Sequence, residues 1–194
     1  ATDLSTGMIA EIKKKIVDNV LTNRMTCQQI SYDSLNLLAK DKFDYVFSNF
    51  GGLNCIKDLS HVTQHLSQRL NEGAYVTWVI MPPVYLWELL WVFKGNFRAA
   101  FRRLHKNGVV AHLEGEYFKT YYHRLGDIVK AFGKEFRLVR VEGLCVVSPP
   151  PAPGDFPLKN PSTYIFLRKL DRLIRSTFPF NRTGDHLIVT FQKK

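Results

Sequence analysis

The sequence is short of cysteine, of long apolar runs and of acidic side chains. Its three cysteines lie far apart, so neither a disulfide framework nor a cysteine-based metal site is predicted. They are Cys27, Cys55 and Cys145. The longest apolar candidate, Ala74 to Phe93, is interrupted by Pro82 and Glu88, and no stretch resembles a membrane span or a signal peptide. We therefore expect a cytoplasmic protein that binds neither a metal nor a membrane.

Basic residues outnumber acidic ones by 27 to 17, which gives a formal net charge of +10. Many of them lie in two stretches, 94–106 and 168–175. In both, apolar residues recur at helical spacing, which predicts that they face the core while the basic side chains occupy the solvated face. The apolar residues are Phe97, Phe101, Leu104, Phe166, Leu170 and Leu173. Because no RNA-recognition or zinc-finger signature accompanies them, nucleic acid is disfavoured as a partner.

The most informative stretch is 42–54, where an apolar run leads into two glycines. The run Tyr45 to Phe47 is typical of a central parallel strand that is buried on both faces. Gly51 and Gly52 then permit a tight bend, and a helix is predicted over 60–71. Since ligands of open α/β sheets bind beyond the carboxyl ends of the strands, the loop Asn49 to Asn54 is expected to face a site. The alternative is a connector that simply needs two glycines.

The remaining elements predict one α/β domain over 1–194, because the length suits a single core. An aromatic-rich insertion at 82–123 is predicted to form a cap over the carboxyl ends of the strands, with a helical part at 85–106 and a hairpin around Glu114. The other predicted helices are 6–20, capped by Ser5, then 35–39, 125–132 and 162–177. The other predicted strands are 25–30, 74–80, 136–147 and 186–192.

Several motifs, read in order, resemble the class I, Rossmann-like S-adenosylmethionine-dependent methyltransferases. The resemblance covers nearly the whole chain and implies a Rossmann-like sheet with a helical cap insertion. Its main motifs are Thr2-Asp3-Leu4-Ser5-x-x-Met8, Phe43-Asp44-x-Val46-x-Ser48-Asn49-Phe50-Gly51-x-Leu53-Asn54 and Leu70-Asn-Glu-Gly73. Later motifs resemble a subgroup with such an insertion: Trp87-Glu88, Ala99-x-x-Arg102-Arg103, Tyr121-Tyr122-His123, Pro149-Pro150 and Gly184-Asp185-His186.

The resemblance also implies a set of residues that bind S-adenosylmethionine. Asp3 would accept hydrogen bonds from both ribose hydroxyls, and Leu4 would pack on the adenine. Asp33 or Ser34 would contact the adenine edge, while Asn49 to Gly51 would lie beside the methionine part. The whole implied set is Asp3, Leu4, Met8, Asp33, Ser34, Asn49, Phe50 and Gly51. The alternative for Asp3 is a helix cap, which is the usual role of a lone Asp before a helix.

One departure from the family is large. The glycine-rich loop that follows the family's first strand should lie about twenty residues before Asp3, so the first strand and most of the second are missing. Loss of that central strand would leave two backbone edges unpaired. Either the sequence is a fragment of a longer protein or another chain supplies the strands. We favour the fragment, which alone is expected to be inactive.

The function implied by the resemblance is methyl transfer to a small-molecule hydroxyl or amine. A base can assist such a transfer, and His123, Tyr121 and Tyr122 are the candidates, although a structural role for them is equally open. A rival hypothesis is a module that kept the fold, lost the cofactor and binds nucleic acid or a protein. A glycine loop upstream would favour the enzyme. A nucleotide-dependent oxidoreductase is disfavoured, because the final helix and strand resemble the methyltransferase ending.

Overall fold

The computed structural model describes residues 1–38, 42–49, 51–113, 115–150 and 155–194. The strands are β1 (Thr2–Asp3), β2 (Gln28–Gln29), β3 (Phe43–Ser48), β4 (Leu70–Ile80), β5 (Val109–Leu113), β6 (Glu116–Thr120), β7 (Phe136–Leu144) and β8 (His186–Lys193). The α-helices are α1 (Thr6–Asp18), α2 (Ser60–Gln68), α3 (Leu86–Leu89), α4 (Phe97–Ala100), α5 (Leu125–Phe132), α6 (Phe156–Lys159) and α7 (Pro161–Ile174). Short 3₁₀ helices span Tyr32–Leu37, Gly52–Cys55, Leu90–Lys94, Arg102–Leu104, Gly133–Glu135 and Phe180–Arg182.

The main sheet has four strands in the order β3-β4-β8-β7. β3 and β4 run parallel, and β8 runs antiparallel to both of its neighbours, β4 and β7. Because β8 is antiparallel, its first residue lies at the same edge of the sheet as the carboxyl ends of β3 and β4. β1 and β2 form a separate parallel pair in which Asp3 is opposite Gln29. The predicted α/β class and the predicted final strand are confirmed.

The hydrophobic core lies between one face of the main sheet and the helices α2 and α5. The ring of Phe132 in α5 contacts two rings of the sheet. Its centroid lies 4.5 Å from that of Trp78 in β4 and 3.8 Å from that of Phe191 in β8. Val62 of α2 and Ile128 of α5 are also fully buried. Burial of such side chains is worth roughly 1.5–3 kcal/mol each, so this layer holds the two helices on the sheet.

The prediction that β3 is a central strand buried on both faces is wrong for the described structure. β3 lies at the end of the four-stranded sheet, and within the described residues its ladder is formed with β4 only. Tyr45 and Phe47 are 55% and 54% exposed, whereas Val46 packs against the core. The apolar run therefore alternates between a covered and an uncovered face, as expected for a sheet packed on one side.

Several predicted boundaries need correction, although most predicted elements exist. Ser5 caps α1 as predicted, since its Oγ accepts a hydrogen bond from the Met8 amide. The strand predicted at 25–30 is only the two residues of β2. The helix predicted to reach residue 71 ends at Gln68, and Gly73, with φ of +76°, lies within β4. The hairpin of β5 and β6 is confirmed by its antiparallel pairing, with Glu114 outside the described residues.

The prediction for the two basic stretches is confirmed for most of the basic side chains, which are exposed, but it is wrong for Arg103 and for most of the apolar residues. In the first, Phe97, Phe101 and Leu104 are 43–59% exposed, while Arg103 is buried. In the second, Phe166 and Leu173 on α7 are exposed as well. Helical periodicity identifies an apolar face but not the direction in which the tertiary structure turns it. In the first stretch, Arg103 faces inward because its guanidinium pairs with the carboxylates of Glu88 and Asp185.

Candidate functional site

The carboxyl ends of β1, β2 and β3 meet at one edge of the structure. Tyr32, just after β2, places its hydroxyl 3.2 Å from the Ser48 hydroxyl at the end of β3. Asp3 ends β1 and pairs in register with Gln29 at the end of β2. Asp33 and Ser34 follow Tyr32 in the same 3₁₀ helix. The predicted ribose and adenine contacts thus lie at the edge where the loop after β3 begins.

Asp3 combines a local capping contact with an accessible position. Its Oδ1 accepts a hydrogen bond of 2.8 Å from the Ser5 amide. One of its two oxygens is therefore used locally at the start of α1, in line with the capping alternative. A carboxylate offers about four acceptor positions, so further hydrogen bonds to a ligand remain geometrically open. Leu4 and Met8 are 66% and 51% exposed. This end of β1 therefore presents a carboxylate next to apolar surface.

The loop after β3 approaches its neighbours too closely to carry side chains at two positions. Gly51 has φ of +77°, and a Cβ there would lie 3.0 Å from Met81 Cε. A Cβ on Gly52 would lie 2.8 Å from the Tyr32 hydroxyl. Glycine is favoured at Gly51 by its positive φ, and a side chain at either position would also displace Met81 or Tyr32. Asn49 is exposed beside this loop, and Phe50 lies outside the described residues.

Asn54, the last residue of the glycine loop motif, ties both ends of the 82–123 segment together. It is fully buried, and its Nδ2 donates to the carbonyls of Met81 and Tyr121 at 3.0 and 2.6 Å. Its Oδ1 accepts from the Met81 amide, and its own carbonyl accepts from the Tyr121 amide. Because all polar atoms of the Asn54 side chain are paired, Asn54 fixes the points at which the 82–123 segment leaves and rejoins the sheet.

A buried cluster of charges joins the 82–123 segment to the turn before β8. The Arg103 side chain is 4% exposed and lies 2.8 Å from Glu88 and 2.9 Å from Asp185. Arg102 makes a bidentate pair with the same Glu88 carboxylate. Asp185 in turn lies 3.0 Å from His186 Nδ1. Glu88, Arg103, Asp185 and His186 therefore form one continuous chain of hydrogen bonds.

Aromatic rings enclose the buried guanidinium of Arg103. Its centre lies 4.8 Å from the Tyr85 ring centroid and 5.3 Å from that of Tyr122. Both contacts are within cation–π range and shield the charge from water. Burial raises the pKa of both tyrosine hydroxyls above the ordinary value. Arg103 is thus held as a fully paired, desolvated cation.

The two carboxylates of the cluster stay ionised although Glu88 is buried and Asp185 is half-buried. Burial by itself would raise the pKa of Glu88, but the hydrogen bonds and charges of Arg102 and Arg103 outweigh it, and the pKa is lowered. For Asp185 burial acts in the same upward direction, and the pKa is lowered by His186 and Arg103. The hydrogen bond to Glu88 raises the pKa of Arg102. Each charge of the cluster is paired with an opposite charge. Removal of one member therefore leaves its partner without that pairing.

We expect the stabilising effect of Glu88 to disappear in acid. A carboxyl with a lowered folded-state pKa stabilises the fold above its unfolded pKa, roughly 4.3 for Glu, and this contribution is lost as pH falls through the folded value. Glu88→Gln should therefore be less stable than the wild type at pH 7, and the gap in urea midpoint should close towards pH 3. The exposed pair of Asp155 with Lys159 provides the control, because Asp155→Asn should change little at any pH. A difference in urea midpoint between Glu88→Gln and the wild type that stays constant with pH would show that Glu88 is not an ionised partner of the two arginines.

The predicted catalytic residues line a cleft of about 890 Å³ between the 82–123 segment and the first turns of α2 and α5. Tyr121, Tyr122 and His123 form part of its wall, together with Arg103. His123 is buried, and its Nε2 lies 3.0 Å from the Ile56 carbonyl, to which it donates. Burial lowers the pKa of His123, so its ring is neutral at pH 7. The assignment of a base among these three residues stays a prediction.

Sequence reasoning missed three residues of this region: Asn54, Arg103 and His186. All three occur in the motifs that carried the resemblance, yet no role followed from them. For Asn54 and Arg103 the reason is that their partners are distant in sequence. Asn54 pairs with Tyr121, 67 positions away, and Arg103 with Asp185, 82 positions away. The one available signal was a pair of arginines in a stretch that contains no acid.

Across the part of the chain that the structure describes, no group of three His, Cys, Asp or Glu side chains could hold a metal ion. Likewise, none of the described helices has the length and apolar composition needed to cross a membrane.

Comparisons with known proteins agree on the fold. No protein-family model matches the sequence, and no curated protein matches it significantly. A solved structure of an S-adenosylmethionine-dependent methyltransferase from Listeria monocytogenes is 18% identical, with a TM-score of 0.58 over 100% of this chain and 78% of that chain. A second such methyltransferase, from Methanosarcina mazei, is 14% identical, with a TM-score of 0.59 over 99% of this chain and 80% of that chain.

A third similar structure is an O-methyltransferase from a polyketide synthase of Brevibacillus brevis in complex with S-adenosyl-L-homocysteine. It is 12% identical, with a TM-score of 0.50 over 99% of this chain and 57% of that chain. At these identities the likeness concerns the fold. The chain has the Rossmann-like fold of the class I S-adenosylmethionine-dependent methyltransferases, as the resemblance implied.

Proposed function

We propose that the protein transfers a methyl group from S-adenosylmethionine to a small-molecule hydroxyl or amine. The observation that carries the proposal is the contact of Tyr32 with Ser48, which places the residues that follow them, Asp33 and Asn49, near each other in a chain with the methyltransferase fold. Asp3 ends β1, the strand that pairs with β2. The antiparallel β8 between β4 and β7 supports this choice over a nucleotide-dependent oxidoreductase, whose sheets of this type are mostly parallel. Among the similar structures, the Brevibacillus brevis O-methyltransferase holds the demethylated cofactor.

The residues at this edge suit the cofactor. Asp3 would bind the ribose hydroxyls, Leu4 and Met8 offer apolar surface for the adenine, and Asp33 or Ser34 would bind its edge. Gly51 has a positive φ, which lets the chain turn just after β3. When bound, the sulfonium group supplies the reactive methyl, so the protein's task is to orient the acceptor and to exclude water.

The 82–123 segment would act as the cap that selects the acceptor. Both of its ends are fixed by Asn54, and its interior is fixed to the turn before β8 through Arg103 and Asp185. The cleft beside Tyr121, Tyr122 and His123 is large enough for a small molecule. Those three residues remain the sequence-based candidates for assisting proton removal.

The proposal includes a longer natural protein. In the described residues β3 pairs only with β4, and β1 and β2 form a separate sheet. A strand between β1 and β3 would pair both free edges and join the two sheets, which removes the cost of exposed backbone groups. Such a strand would also bring the family's glycine-rich loop to the cofactor. The rival hypothesis, a binding module without cofactor, has no such requirement.

We expect Asp3→Ala to weaken binding of S-adenosylmethionine to the full-length natural protein. Loss of charge-assisted hydrogen bonds worth about 1.5–3 kcal/mol corresponds to a roughly 10- to 150-fold rise in Kd. Isothermal titration with S-adenosylmethionine and with S-adenosylhomocysteine would measure this rise. Asp18→Ala, at the exposed end of α1, is the matched control and should leave Kd unchanged.

The same titration tests the function itself. If neither compound binds the full-length wild type, the cofactor proposal is wrong and the binding module is favoured. If the wild type binds and Asp3→Ala binds equally well, the function stands but Asp3 is not the ribose ligand.

A further inference from the structure

The cleft between the 82–123 segment and the first turns of α2 and α5 is lined by an excess of basic side chains. Besides Arg103, four cationic side chains line it, and we call them the basic wall: Lys57, Lys106, Arg124 and Lys130. They come from three separate parts of the chain. Lys57 precedes α2, Lys106 belongs to the 82–123 segment, and the other two belong to α5 and its N-cap. Tertiary contacts therefore bring these charges to one cleft, which a run of basic residues on a single helix face does not do.

The basic wall has no carboxylate partner among the residues that the structure describes. None of the ion pairs formed by those residues includes any of its four side chains. Arg103 differs from them, because Glu88 and Asp185 balance its charge. All four side chains of the wall belong to exposed residues. A ligand with a negative group can therefore pair with them without displacing a protein carboxylate.

The two carboxylates that line the same cleft take part in local structure. Asp58 Oδ1 accepts hydrogen bonds from the amide and the hydroxyl of Ser60, at 2.9 and 2.7 Å. These hydrogen bonds are the main reason why the pKa of Asp58 is lowered, and Lys130 makes a smaller electrostatic contribution. Asp127 Oδ2 accepts a hydrogen bond of 3.3 Å from the Arg124 amide. The carboxylates thus stabilise the starts of α2 and α5 and leave the cleft with an excess of positive charge.

The rest of the lining also favours an anion that carries an apolar body. Helices α2 and α5 both begin at the cleft, and the N-terminal end of a helix carries a partial positive charge. Much of the remaining lining is apolar or aromatic: Leu59, Pro83, Leu104, Tyr121 and Tyr122. Aromatic and aliphatic surface with a few charged groups at one side is the usual composition of a small-molecule site.

We propose that the methyl acceptor is an anionic small molecule, a carboxylate or a phosphate ester with an apolar body, and that the basic wall binds its negative group. The proposal rests on the proposed function, because it names the class of acceptor for the same cleft. Arg124 can form two parallel hydrogen bonds with a carboxylate or phosphate, whereas the lysines act as point charges. Lys106 faces the other three across the cleft, so a bound anion would bridge the 82–123 segment and the two helices.

Four probes that share one aromatic ring and differ in charge test the basic wall. Benzoate and phenyl phosphate are anionic, benzyl alcohol is neutral and benzylamine is cationic. Each is titrated into full-length protein saturated with S-adenosylhomocysteine, which occupies the cofactor site and permits no turnover. At least one anion should bind roughly tenfold more tightly than benzyl alcohol, and benzylamine should bind most weakly. The anion affinity should fall when NaCl is raised from about 0.05 to 0.5 M, because exposed charges are screened. The tighter of the two anions distinguishes a carboxylate acceptor from a phosphate acceptor.

Substitutions on the two sides of the cleft locate the binding. Lys106→Gln and Arg124→Gln should each weaken binding of the preferred anion roughly two- to fivefold, the contribution of one exposed ion pair, and leave benzyl alcohol unchanged. The variant that combines both should lose most of the preference for the anion. Lys134→Gln is the matched control, because it removes the same charge at an exposed position outside the cleft lining and should change no affinity. Circular dichroism checks that each variant is folded.

The outcomes distinguish this inference from the proposed function. Full-length protein that does not bind S-adenosylhomocysteine overturns the proposed function and, with it, the acceptor. Protein that binds S-adenosylhomocysteine but binds neither anion more tightly than benzyl alcohol overturns the anionic acceptor alone. A preference for anions that Lys134→Gln weakens as much as Arg124→Gln does comes from the net charge of the protein, and it also overturns the basic wall as the binding site.

Discussion

Replacing Asn54 by leucine is expected to lower the free energy of unfolding by roughly 2 to 5 kcal/mol, because two buried backbone groups lose their partners and each costs about 1–3 kcal/mol. These groups are the Met81 amide and the Tyr121 carbonyl, while the Met81 carbonyl keeps a hydrogen bond from the His123 amide. Leucine has the same branching and number of side-chain heavy atoms as asparagine and a larger volume, so a cavity is not the cause. Urea denaturation followed by circular dichroism would measure the change.

Two further variants make this result specific. Asn23→Leu lies in an exposed turn and should change stability by no more than about 0.5 kcal/mol. Asn54→Asp keeps the acceptor for the Met81 amide but places a carboxylate oxygen against two carbonyls. It should be destabilised at neutral pH and recover partly in acid, where protonation restores one donor. A stable Asn54→Leu protein would show that the two ends of the 82–123 segment are held by other contacts.

Trimming residues 85–106 in the full-length protein, with a short Gly-Ser linker in their place, is expected to abolish methyl transfer while S-adenosylmethionine still binds. The predicted cofactor contacts, Asp3, Asp33 and Asn49, lie outside the trimmed part. The deletion removes Glu88, Arg102 and Arg103 together, and Asp185 keeps its hydrogen bond with His186. Titration and methyl transfer to a phenol probe measure the two properties separately.

Point variants distinguish loss of acceptor binding from unfolding of the protein caused by the deletion. Leu104 lines the cleft and is 48% exposed, so Leu104→Trp should narrow it and raise the KM for the acceptor without changing Kd for the cofactor. Phe93 is 87% exposed outside the cleft lining, and Phe93→Ser should alter neither. Equal loss of transfer and cofactor binding in the deletion, with an unchanged KM in Leu104→Trp, would mean that the segment does not select the acceptor.

The part of the fold that follows from local signals was predictable. Ser5 precedes an apolar-periodic stretch and caps α1, and the alternation after Asp185 gives β8 as expected. The hairpin of β5 and β6 follows from two short runs around a glycine. In each case the causes, capping, alternation and turn chemistry, act within a few residues. The class of fold followed from the order of these elements and from the motifs.

The candidate site was predictable only in part. The carboxyl-edge rule predicted that the loop Asn49 to Asn54 faces a site, and the resemblance to the methyltransferases added Asp3 and Asp33 to it. The same reasoning named Tyr121, Tyr122 and His123 as candidate bases and gave His186 no role. The hydrogen bond of the His123 ring to the Ile56 carbonyl, 67 positions away, is formed only in the tertiary structure.

The sequence by itself predicted the fold class and most of the elements, because these depend on neighbours along the chain. Only the tertiary structure decided which face of each element is buried. It turned Phe97 and Phe101 outward and Arg103 inward, and it placed Tyr45 and Phe47 on an uncovered face. The physical reason is that a buried charge needs partners, and the two carboxylates that pair with Arg103 come from residues 15 and 82 positions away. Periodicity within one helix carries no information about contacts at that separation.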